Sequence, residues 1–565
     1  MEEKQSHIFQ KNIEEAASLE AAVAAWLELQ LPEERSDAFA ALCDSYGFAE
    51  VMPYLAGIMW EQRVALGRAL QDVAYFNYLP RPATKKKTIA AYYRSIANGG
   101  AQRVVALLCN RWAEMRDSQG EYLYNVVLIT DAGPQNDEYD LSPLVKRAYL
   151  PANENSNGDN YHKRFAAWQQ ILTAYAIDVV VSSMWVASCT FWDLLSVKGH
   201  PNHPAFLIHS HNSCAVPFSY DSSEVLELSY KYQLCDGVVA LSSCDELYIK
   251  CFNANAQHIV NPLAFKPELL PKSSYEANTI LWCARISEEK QPLDAVRAMA
   301  AIVKEIPEAK LYVVGDGEPV LYEAMQNEAL RLGVEQNIEF AGFTLDVAKY
   351  YSRASVMLLT SEYEGFCLTI GEALAYGLPV VSYELPNLSF MQDGRGIATV
   401  PQGRYDLLAQ KTVELLKNPS QLKALGDLGK THITEVAHAD IEGAWRQLFA
   451  KLDKPKAKVP PSDIQTVLSM ITEFQYKGRC KSIANWESLR DGILKEKYKY
   501  KYLAEKRQEG LDFWRTRGPE LLKEQAELKK RLRAAEKKLH DVENGLSFKL
   551  GRILTFLPRK LFGKK

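Results

Sequence analysis

Residues 364–381 read EGFCLTIGEALAYGLPVV and follow the short apolar run Val356–Leu359. The apolar run predicts a buried strand, Gly365 predicts a turn, and the residues after it predict a helix. A second apolar run at 379–382 predicts the next strand. Because a strand, a crossover helix and a second parallel strand form the repeating unit of an α/β protein, this stretch predicts a parallel sheet.

The same alternation continues in both directions, in two groups of strands separated by a break at 261–274 that contains proline and serine. The predicted strands are 88–93, 124–129, 179–181, 205–208 and 237–240 in the first group, and 279–282, 310–314, 338–340, 356–359 and 379–382 in the second. Each group is too large to be half of one sheet. The expected fold class is α/β, with two Rossmann-like, doubly wound domains facing a cleft and ligands bound beyond the carboxyl ends of the strands.

Helical extensions are expected at both ends of this α/β body. The first 84 residues lack strand-like alternation, and apolar residues between Leu521 and Leu546 recur at spacings of seven, four and three, as in a coiled-coil seam. The expected segments are a helical N-terminal region at 1–84, a first Rossmann-like domain at 85–265, a second at 275–435, a helix at 436–454 returning toward the first domain, a helical region at 462–518, a coiled coil at 519–546 and a basic amphipathic tail at 547–565.

The composition of the 565-residue chain excludes several classes of protein. A formal net charge of −4 argues against a nucleic-acid partner, since such proteins usually carry a basic domain. Ten cysteines without a Cys-x-x-Cys pair favour reduced thiols over disulfides or a zinc site. The first residues lack the basic and apolar segments of a signal peptide, so we expect a cytoplasmic protein.

Two acidic residues in the opening stretch are candidates for ligand binding. A helix N-terminus presents unpaired N–H groups and partial positive charge, so a diphosphate can bind where the helix after Gly365 begins. Glu364 lies at that turn, and Glu372 lies two helical turns further on. Carboxylates at these places fit a sugar at one end and a ribose at the other. Two solvated glutamates on a surface helix are the alternative.

The whole stretch 364–381 resembles the Glu-x7-Glu signature of retaining glycosyltransferases of family 4 (glycosyl transferases group 1), including its Gly-Leu-Pro-Val-Val continuation. The resemblance covers about residues 88–450, and it is to the members of the family that act on bacterial cell-surface glycans. It implies the GT-B architecture, with 85–265 on the acceptor side and 275–435 binding a nucleotide-sugar donor. Glu364 would then act on the donor sugar, Glu372 would bind the ribose, and Gly365 and Phe366 would belong to the donor site.

Further motifs of that family occur in the expected order. The segment CARISEEK at 283–290 is similar to the Gly-Arg-x3-Glu-Lys element, although Ala284 stands where the family usually has glycine. Arg285 and Lys290 would hold the donor diphosphate, because two cations can neutralise a leaving phosphate without a metal. Gly317, in VVGDG at 313–317, resembles the next strand end of the family, and an ordinary turn explains it equally well.

The first domain also carries two of these motifs. NGGAQRV at 98–104 is similar to the Gly-Gly-x-Glu-Arg-Val loop, with Gly100 near the phosphate of the donor or near the acceptor and Gln102 in place of the usual glutamate. His211 matches a family histidine that projects toward the reacting sugar, and His209 is the second choice. Such a histidine could orient the sugar or act as a base.

The resemblance implies a retaining transfer of a sugar, from a UDP- or GDP-sugar, to a cell-surface polysaccharide, a lipid-linked glycan or a glycoconjugate. It implies no metal and no cofactor. Two other interpretations remain open, a nucleotide-sugar epimerase of the same architecture and a non-catalytic GT-B scaffold. Donor hydrolysis or sugar transfer by the purified protein distinguishes them.

The tail at 547–565 carries lysine and arginine but no acidic residue, and apolar residues recur at three- and four-residue spacing from Leu546 to Leu561. A basic amphipathic helix of this kind suits an anionic membrane surface, which predicts peripheral binding at the inner face of the cell membrane. The coiled coil could pair two such chains into a homodimer. Packing of the apolar face on the protein itself is the alternative.

Overall fold

The computed structural model divides the chain into two units, residues 1–461 and 462–565. The residues that it describes are 16–71, 73, 86–97, 99–131, 133–135, 137–152, 161–214, 216, 222–344, 346–385, 387–388, 391, 393–460, 462–464, 466–471, 473, 497, 501 and 518–544.

The described part of the N-terminal region is helical, as predicted. It contains α1 (Leu19–Glu28), α2 (Pro32–Tyr46) and α3 (Phe48–Gln71). The hydroxyl of Ser18 accepts the N–H of Ala21 at 3.2 Å and caps the start of α1, because the first N–H groups of a helix have no partner within it.

Seven strands of the described residues form a parallel sheet in the order β3-β2-β1-β4-β5-β6-β7. They are β1 (Lys87–Tyr92), β2 (Tyr124–Thr130), β3 (Val145–Tyr149), β4 (Val179–Ser182), β5 (Ala205–His209), β6 (Gly237–Ala240) and β7 (Ala256–His258). The strand order reverses between β1 and β4, which pair directly, with Ile89 opposite Val179. A crevice for a ligand opens at such a switch point.

Helices connect these strands and cover the sheet. They are α4 (Gly100–Glu114), α5 (Tyr161–Ala174), α6 (Ser188–Lys198), α7 (Ser222–Leu234) and α8 (Ser243–Lys250). The N-terminal helix α3 packs against α5, α6 and α7, so the N-terminal helices are part of the first domain's surface layer.

Six strands of the described residues form a second parallel sheet in the order β10-β9-β8-β11-β12-β13. They are β8 (Thr279–Cys283), β9 (Lys310–Val314), β10 (Ile338–Gly342), β11 (Val356–Leu359), β12 (Val380–Tyr383) and β13 (Ile397–Val400). The switch point lies between β8 and β11, with Ile280 opposite Val356. The helices around this sheet are α9 (Pro292–Glu305), α10 (Pro319–Leu332), α11 (Ala348–Tyr351), α12 (Leu368–Ala375), α13 (Tyr405–Leu416) and α14 (Pro419–Ala437).

The last helix of the first unit, α15 (Ile441–Lys451), belongs to the core of the first sheet. Its Trp445 is buried against Trp112 of α4, with ring centroids 4.8 Å apart and the rings nearly perpendicular. Edge-to-face pairs of this kind are favoured by the charge distribution of aromatic rings. Within the first unit, the chain therefore crosses from the first sheet to the second and returns to the first.

The predicted fold class, two doubly wound parallel sheets with helical additions, is confirmed. The structure adds three strands that the sequence did not predict, namely β3, β7 and β13.

In the second unit, α16 (Gly518–Asn544) covers most of the segment predicted as a coiled coil. Ala535 and Leu539 are buried on it, with Val542 packed beside them, which matches three positions of the predicted seam. Pairing with a second chain stays a prediction. The basic tail at 547–565 lies outside the described residues. Among the described helices, none is long and apolar enough to cross a membrane.

Candidate active site

The switch point of the second sheet brings together the two segments that the sequence singled out. The loop with Arg285 and Lys290 follows β8, and the turn with Glu364 follows β11, the neighbouring strand. The ammonium of Lys290 donates to Glu364 Oε1 at 2.7 Å, and both side chains are largely buried. Burial alone would lower the pKa of Lys290, but Glu364, Cys367 and Glu289 together outweigh it and raise that pKa above its ordinary value. Lys290 is therefore a stable cation.

Arg285 has a different environment. Its side chain is 70% exposed and donates to Glu289 Oε1 at 2.7 Å. Burial raises the pKa of Tyr93, which follows β1 of the first sheet, and Arg94 and Arg285 oppose that effect. Arg285 is thus near enough to the first domain to lower the pKa of Tyr93, and its exposed guanidinium can exchange its protein partner for a ligand.

The turn before α12 brings the two domains into backbone contact. A Cβ atom placed on Gly365 would lie 2.4 Å from the carbonyl oxygen of His211 and 2.8 Å from Asn212 Cα. A side chain there would push the domains apart, so this position requires glycine. Cys367, the residue before α12, has φ 53°, in the left-handed region that non-glycine residues rarely adopt. Phe366 between them is buried in the core of the second sheet.

Two helix N-termini meet in the cleft. Helix α4 begins at Gly100, and a Cβ atom placed there would lie 3.4 Å from Leu368 Cδ1, at the first residue of α12. Gly99, which precedes α4, has φ 147°, in a region open to glycine. Both helices direct unpaired N–H groups and partial positive charge toward the same space. Such a place suits an anion with two phosphate groups.

Glu372, on the second turn of α12, is held from both domains. Its Oε1 accepts from Arg103 Nη1 at 2.6 Å, and its Oε2 accepts from the Tyr351 hydroxyl at 3.0 Å. Arg103 lies on the first turn of α4, in the first domain, whereas Tyr351 lies in the second. This carboxylate therefore joins the two domains.

The histidines at the end of β5 are neutral. Their rings are 4.2 Å apart, and burial lowers the pKa of His211 to about 3. Burial and the neighbouring His211 hold the pKa of His209 well below its ordinary value. Among the described residues, none bonds to the buried His209 Nδ1 or His211 Nε2. A neutral imidazole of this kind can orient a substrate through a hydrogen bond but is a weak base.

Gly317 packs against the loop that carries Arg285. A Cβ atom placed on it would lie 2.0 Å from the carbonyl oxygen of Ile286, and the two residues pair as a short parallel bridge. This close backbone approach explains the glycine without any ligand.

Three residues of the site were not identified from the sequence, namely Arg103, Tyr351 and Ser361. Arg103 lies inside the quoted motif at 98–104, and Ser361 precedes Glu364 by three residues. Their closeness in sequence to predicted site residues could have identified both. Tyr351 ends the short helix α11, and no sequence signal points to it.

Three cations at the site are paired with carboxylates. The three ion pairs are Arg285–Glu289, Lys290–Glu364 and Arg103–Glu372. The six charges of these pairs sum to zero, so an anionic ligand that binds these three cations must exchange or share their partners. Among the described residues, no group of three or more His, Cys, Asp or Glu side chains is arranged to hold a metal ion.

Two facing parallel sheets, each with its switch point open to one cleft, define the GT-B class of fold. Sucrose-phosphate synthase from Thermosynechococcus elongatus has the same fold, with a TM-score of 0.54 at 20% sequence identity, over 65% of this chain and all of that structure. Residues 277–418, which include β8 to β13, match the family model described as Glycosyl transferases group 1.

Several curated relatives are named as glycosyltransferases. The poly(glycerol-phosphate) alpha-glucosyltransferase of Bacillus subtilis is 33% identical over 153 residues, which cover 27% of this chain and 22% of that protein. An enzyme of Campylobacter jejuni named as an alpha-1,4-N-acetyl-D-galactosaminyltransferase of a glycan linked to diphosphoundecaprenol is 26% identical over 225 residues. That match covers 39% of this chain and 62% of the relative. The chain thus spans less than two thirds of the length of either relative.

Proposed function

We propose that this chain is a retaining glycosyltransferase that moves a sugar from a nucleoside-diphosphate sugar to a cell-surface polysaccharide, a lipid-linked glycan or a glycoconjugate. The observation that carries the proposal is the buried Lys290–Glu364 ion pair at the switch point of the second sheet. It lies next to Gly365, whose backbone touches that of His211 in the other domain. The family match over 277–418 supports the same assignment.

The donor diphosphate would bind where α4 and α12 begin. Both helices offer backbone N–H groups there, and Lys290 keeps N–H donors that its one bond to Glu364 does not use. Arg285 would turn from Glu289 to the phosphate. Charge-assisted hydrogen bonds of this type contribute about 1.5–3 kcal/mol each, and they require no metal ion or cofactor.

In the proposed reaction, the bond between the anomeric carbon and the phosphate oxygen breaks while the acceptor oxygen attacks from the same face. The acceptor proton passes to the departing phosphate, so no side chain has to be a strong base. Glu364 stabilises the positive charge that develops at the anomeric carbon, neutral His211 orients the sugar, and Glu372 binds the ribose.

The named relatives support the acceptor class. One acts on poly(glycerol phosphate) and the other on a glycan carried by a lipid diphosphate. An acceptor on a lipid would agree with the basic tail at 547–565, which we propose binds anionic membrane from the inner face. Deleting that tail should release the protein from anionic liposomes in a flotation assay and leave transfer to a soluble acceptor intact. Intact protein that ignores such liposomes at low salt contradicts the membrane proposal.

The decisive experiment is a thermal-shift screen with UDP-, GDP-, ADP- and dTDP-sugars, because a ligand that binds only the folded state must raise its stability. UDP- or GDP-sugars should raise Tm, and transfer to the matching acceptor should preserve the anomeric configuration in the NMR spectrum of the product. Conversion of the donor sugar without transfer would instead indicate an epimerase. No binding of any nucleotide sugar would indicate a scaffold.

A further inference from the structure

Ser361 touches the carboxylate that the proposed reaction uses. It lies between β11 and the turn, is 1% exposed, and its hydroxyl donates to Glu364 Oε1 at 2.6 Å. Lys290 donates to the same oxygen at 2.7 Å. Both bonds therefore converge on one oxygen atom. No described residue donates a hydrogen bond to the other oxygen, Oε2.

Two donors on one oxygen fix an otherwise loose group. The last torsion of a glutamate side chain has a broad energy minimum, so a carboxylate rotates easily unless it is held. A lysine ammonium is a compact charge on a flexible stem and attracts the carboxylate without fixing its orientation. A hydroxyl on a short side chain at a strand end sets the direction of the bond.

The strand end that carries Ser361 is itself braced. The carbonyl oxygen of Ser361 accepts from Gln402 Nε2 at 3.1 Å. The hydroxyl of Thr360 donates to the backbone oxygen of Lys290 at 2.6 Å and accepts from Trp282 Nε1 at 2.9 Å. The backbones of Lys290 and Ser361 are thus tied to the same framework, so the short side chain of Ser361 holds its donor in place relative to that of Lys290.

We propose that Ser361 is a positioning residue that, together with Lys290, holds Glu364 by Oε1 and leaves Oε2 to the donor sugar. This inference rests on the proposed function and deepens it. An ionised carboxylate only accepts hydrogen bonds, so the sugar must present a hydroxyl that donates to Oε2. The preferred donors therefore carry a free hydroxyl at that position.

The test compares Ser361→Ala with Ser382→Ala. Ser382 is a buried serine of β12 whose hydroxyl donates to the Tyr383 carbonyl at 2.8 Å. Ser382→Ala therefore also removes a buried hydroxyl, but one that does not bond to Glu364. Ser361→Ala should lower kcat about tenfold, the effect of one hydrogen bond to a charged group, and change the Kd of the free nucleoside diphosphate less than twofold. Ser382→Ala should leave kcat unchanged.

A second arm uses singly deoxygenated donor sugars. If Oε2 accepts from one hydroxyl, the analogue lacking that hydroxyl should react equally slowly with the wild type and with Ser361→Ala. Ser361→Thr, which keeps the hydroxyl, should recover most of the lost kcat. Equal losses in kcat and nucleotide affinity, or equal losses in Ser361→Ala and Ser382→Ala, would show that the serine only supports the fold.

The crystal structure of Ser361→Ala provides a readout that does not depend on transfer. The Glu364 carboxylate should rotate about its last torsion or adopt two orientations, whereas an unchanged carboxylate overturns the positioning role. If wild-type protein transfers no sugar, the proposed function fails. If it does transfer sugar and Ser361→Ala is as fast as wild type, only the present inference fails.

Discussion

The two sheets end at the same cleft but present opposite chemistry to it. At the carboxyl end of the second sheet the functional side chains are ions, and each is paired, as in Lys290 with Glu364. At the carboxyl end of β5 in the first sheet, His209 and His211 are neutral and hold buried nitrogen atoms without a partner among the described residues. The end of β8 and β11 is charged and satisfied, whereas the end of β5 is neutral and unsatisfied.

This difference indicates which substrate each side can accept. A paired ionic site can receive a charged ligand by exchanging partners, since each pair loses and regains a charge-assisted bond. An unpaired neutral imidazole gains a hydrogen bond when a hydroxyl-rich ligand arrives, because an unsatisfied buried polar group is costly. The comparison therefore supports the proposal that the cations of the second domain bind the diphosphate and that His211 contacts sugar hydroxyls.

The largest effect should come from removing both cations of the ionic side. Arg285→Ala combined with Lys290→Ala should lower transfer by about a hundred- to ten-thousandfold, because two charge-assisted bonds of about 1.5–3 kcal/mol each are lost. Nucleoside-diphosphate affinity should fall strongly as well, as isothermal calorimetry would measure. The circular dichroism spectrum should be unchanged, although Tm should decrease because buried Glu364 loses its cation.

The control for that variant is Arg331→Ala with Lys417→Ala, which removes two cations paired on the surface of the same domain outside the cleft. It should transfer at the wild-type rate. Full activity of the Arg285→Ala, Lys290→Ala protein would refute the claim that these two cations bind the donor diphosphate. Transfer should also continue in EDTA, and a strict need for a divalent metal ion would contradict the roles assigned to these cations.

A second, smaller effect separates the two carboxylates. Glu364→Gln should lower kcat more than nucleotide affinity, because its partner is the sugar at the reacting end. Glu372→Ala should weaken binding of the nucleotide itself. Steady-state kinetics with parallel calorimetry on each variant measures both. Small and equal effects would favour two structural glutamates without a ligand.

The central strands could be predicted from the sequence because they are buried on both faces and read as apolar runs, such as Val356–Leu359. The three missed strands, β3, β7 and β13, lie at sheet edges. β3 carries Lys146 and Arg147, and β7 has only three residues, so neither shows an apolar run. Edge strands of sheets tolerate charge and short length because one side is unpaired.

The candidate site was predictable where neighbours in sequence carry the chemistry, as Glu364 and Gly365 do. It was not predictable where distant segments meet. Arg103 and Glu372 are 269 residues apart, and only the packing of the two domains against each other brings them within 2.6 Å. The burial that makes His211 neutral likewise depends on packing from several elements, and no local pattern reports it.

The contact across the cleft gives a third prediction, of moderate size. Arg103→Ala should lower nucleotide affinity about three- to tenfold, because Glu372 loses one of the two groups that orient it. The same change in a Glu372→Ala background should have no further effect, which a double-mutant cycle by calorimetry measures. Tighter nucleotide binding by Arg103→Ala would show instead that Arg103 competes with the ribose for Glu372.

The smallest effect concerns the neutral side and appears in the dependence of stability on pH. The pKa of His211 is lowered to about 3, against about 6.5 for an unfolded histidine. Between these values the unfolded chain binds a proton that the folded chain refuses, so the free energy of unfolding decreases as pH falls from about 6.5 toward 3. Each such proton contributes a slope of about 1.4 kcal/mol per pH unit.

His211→Gln should reduce the slope of the free energy of unfolding against pH by the contribution of one proton. Urea unfolding between pH 4 and 7 measures this slope. His162→Gln, at an exposed position of α5, controls for the loss of a histidine as such. If both variants keep the wild-type slope, His211 is not held neutral by the fold, and the contrast between an ionic and a neutral side of the cleft is wrong. A neutral His211 also means that its own protonation causes no loss of transfer as pH falls through 6.5, because this imidazole has no proton to gain there.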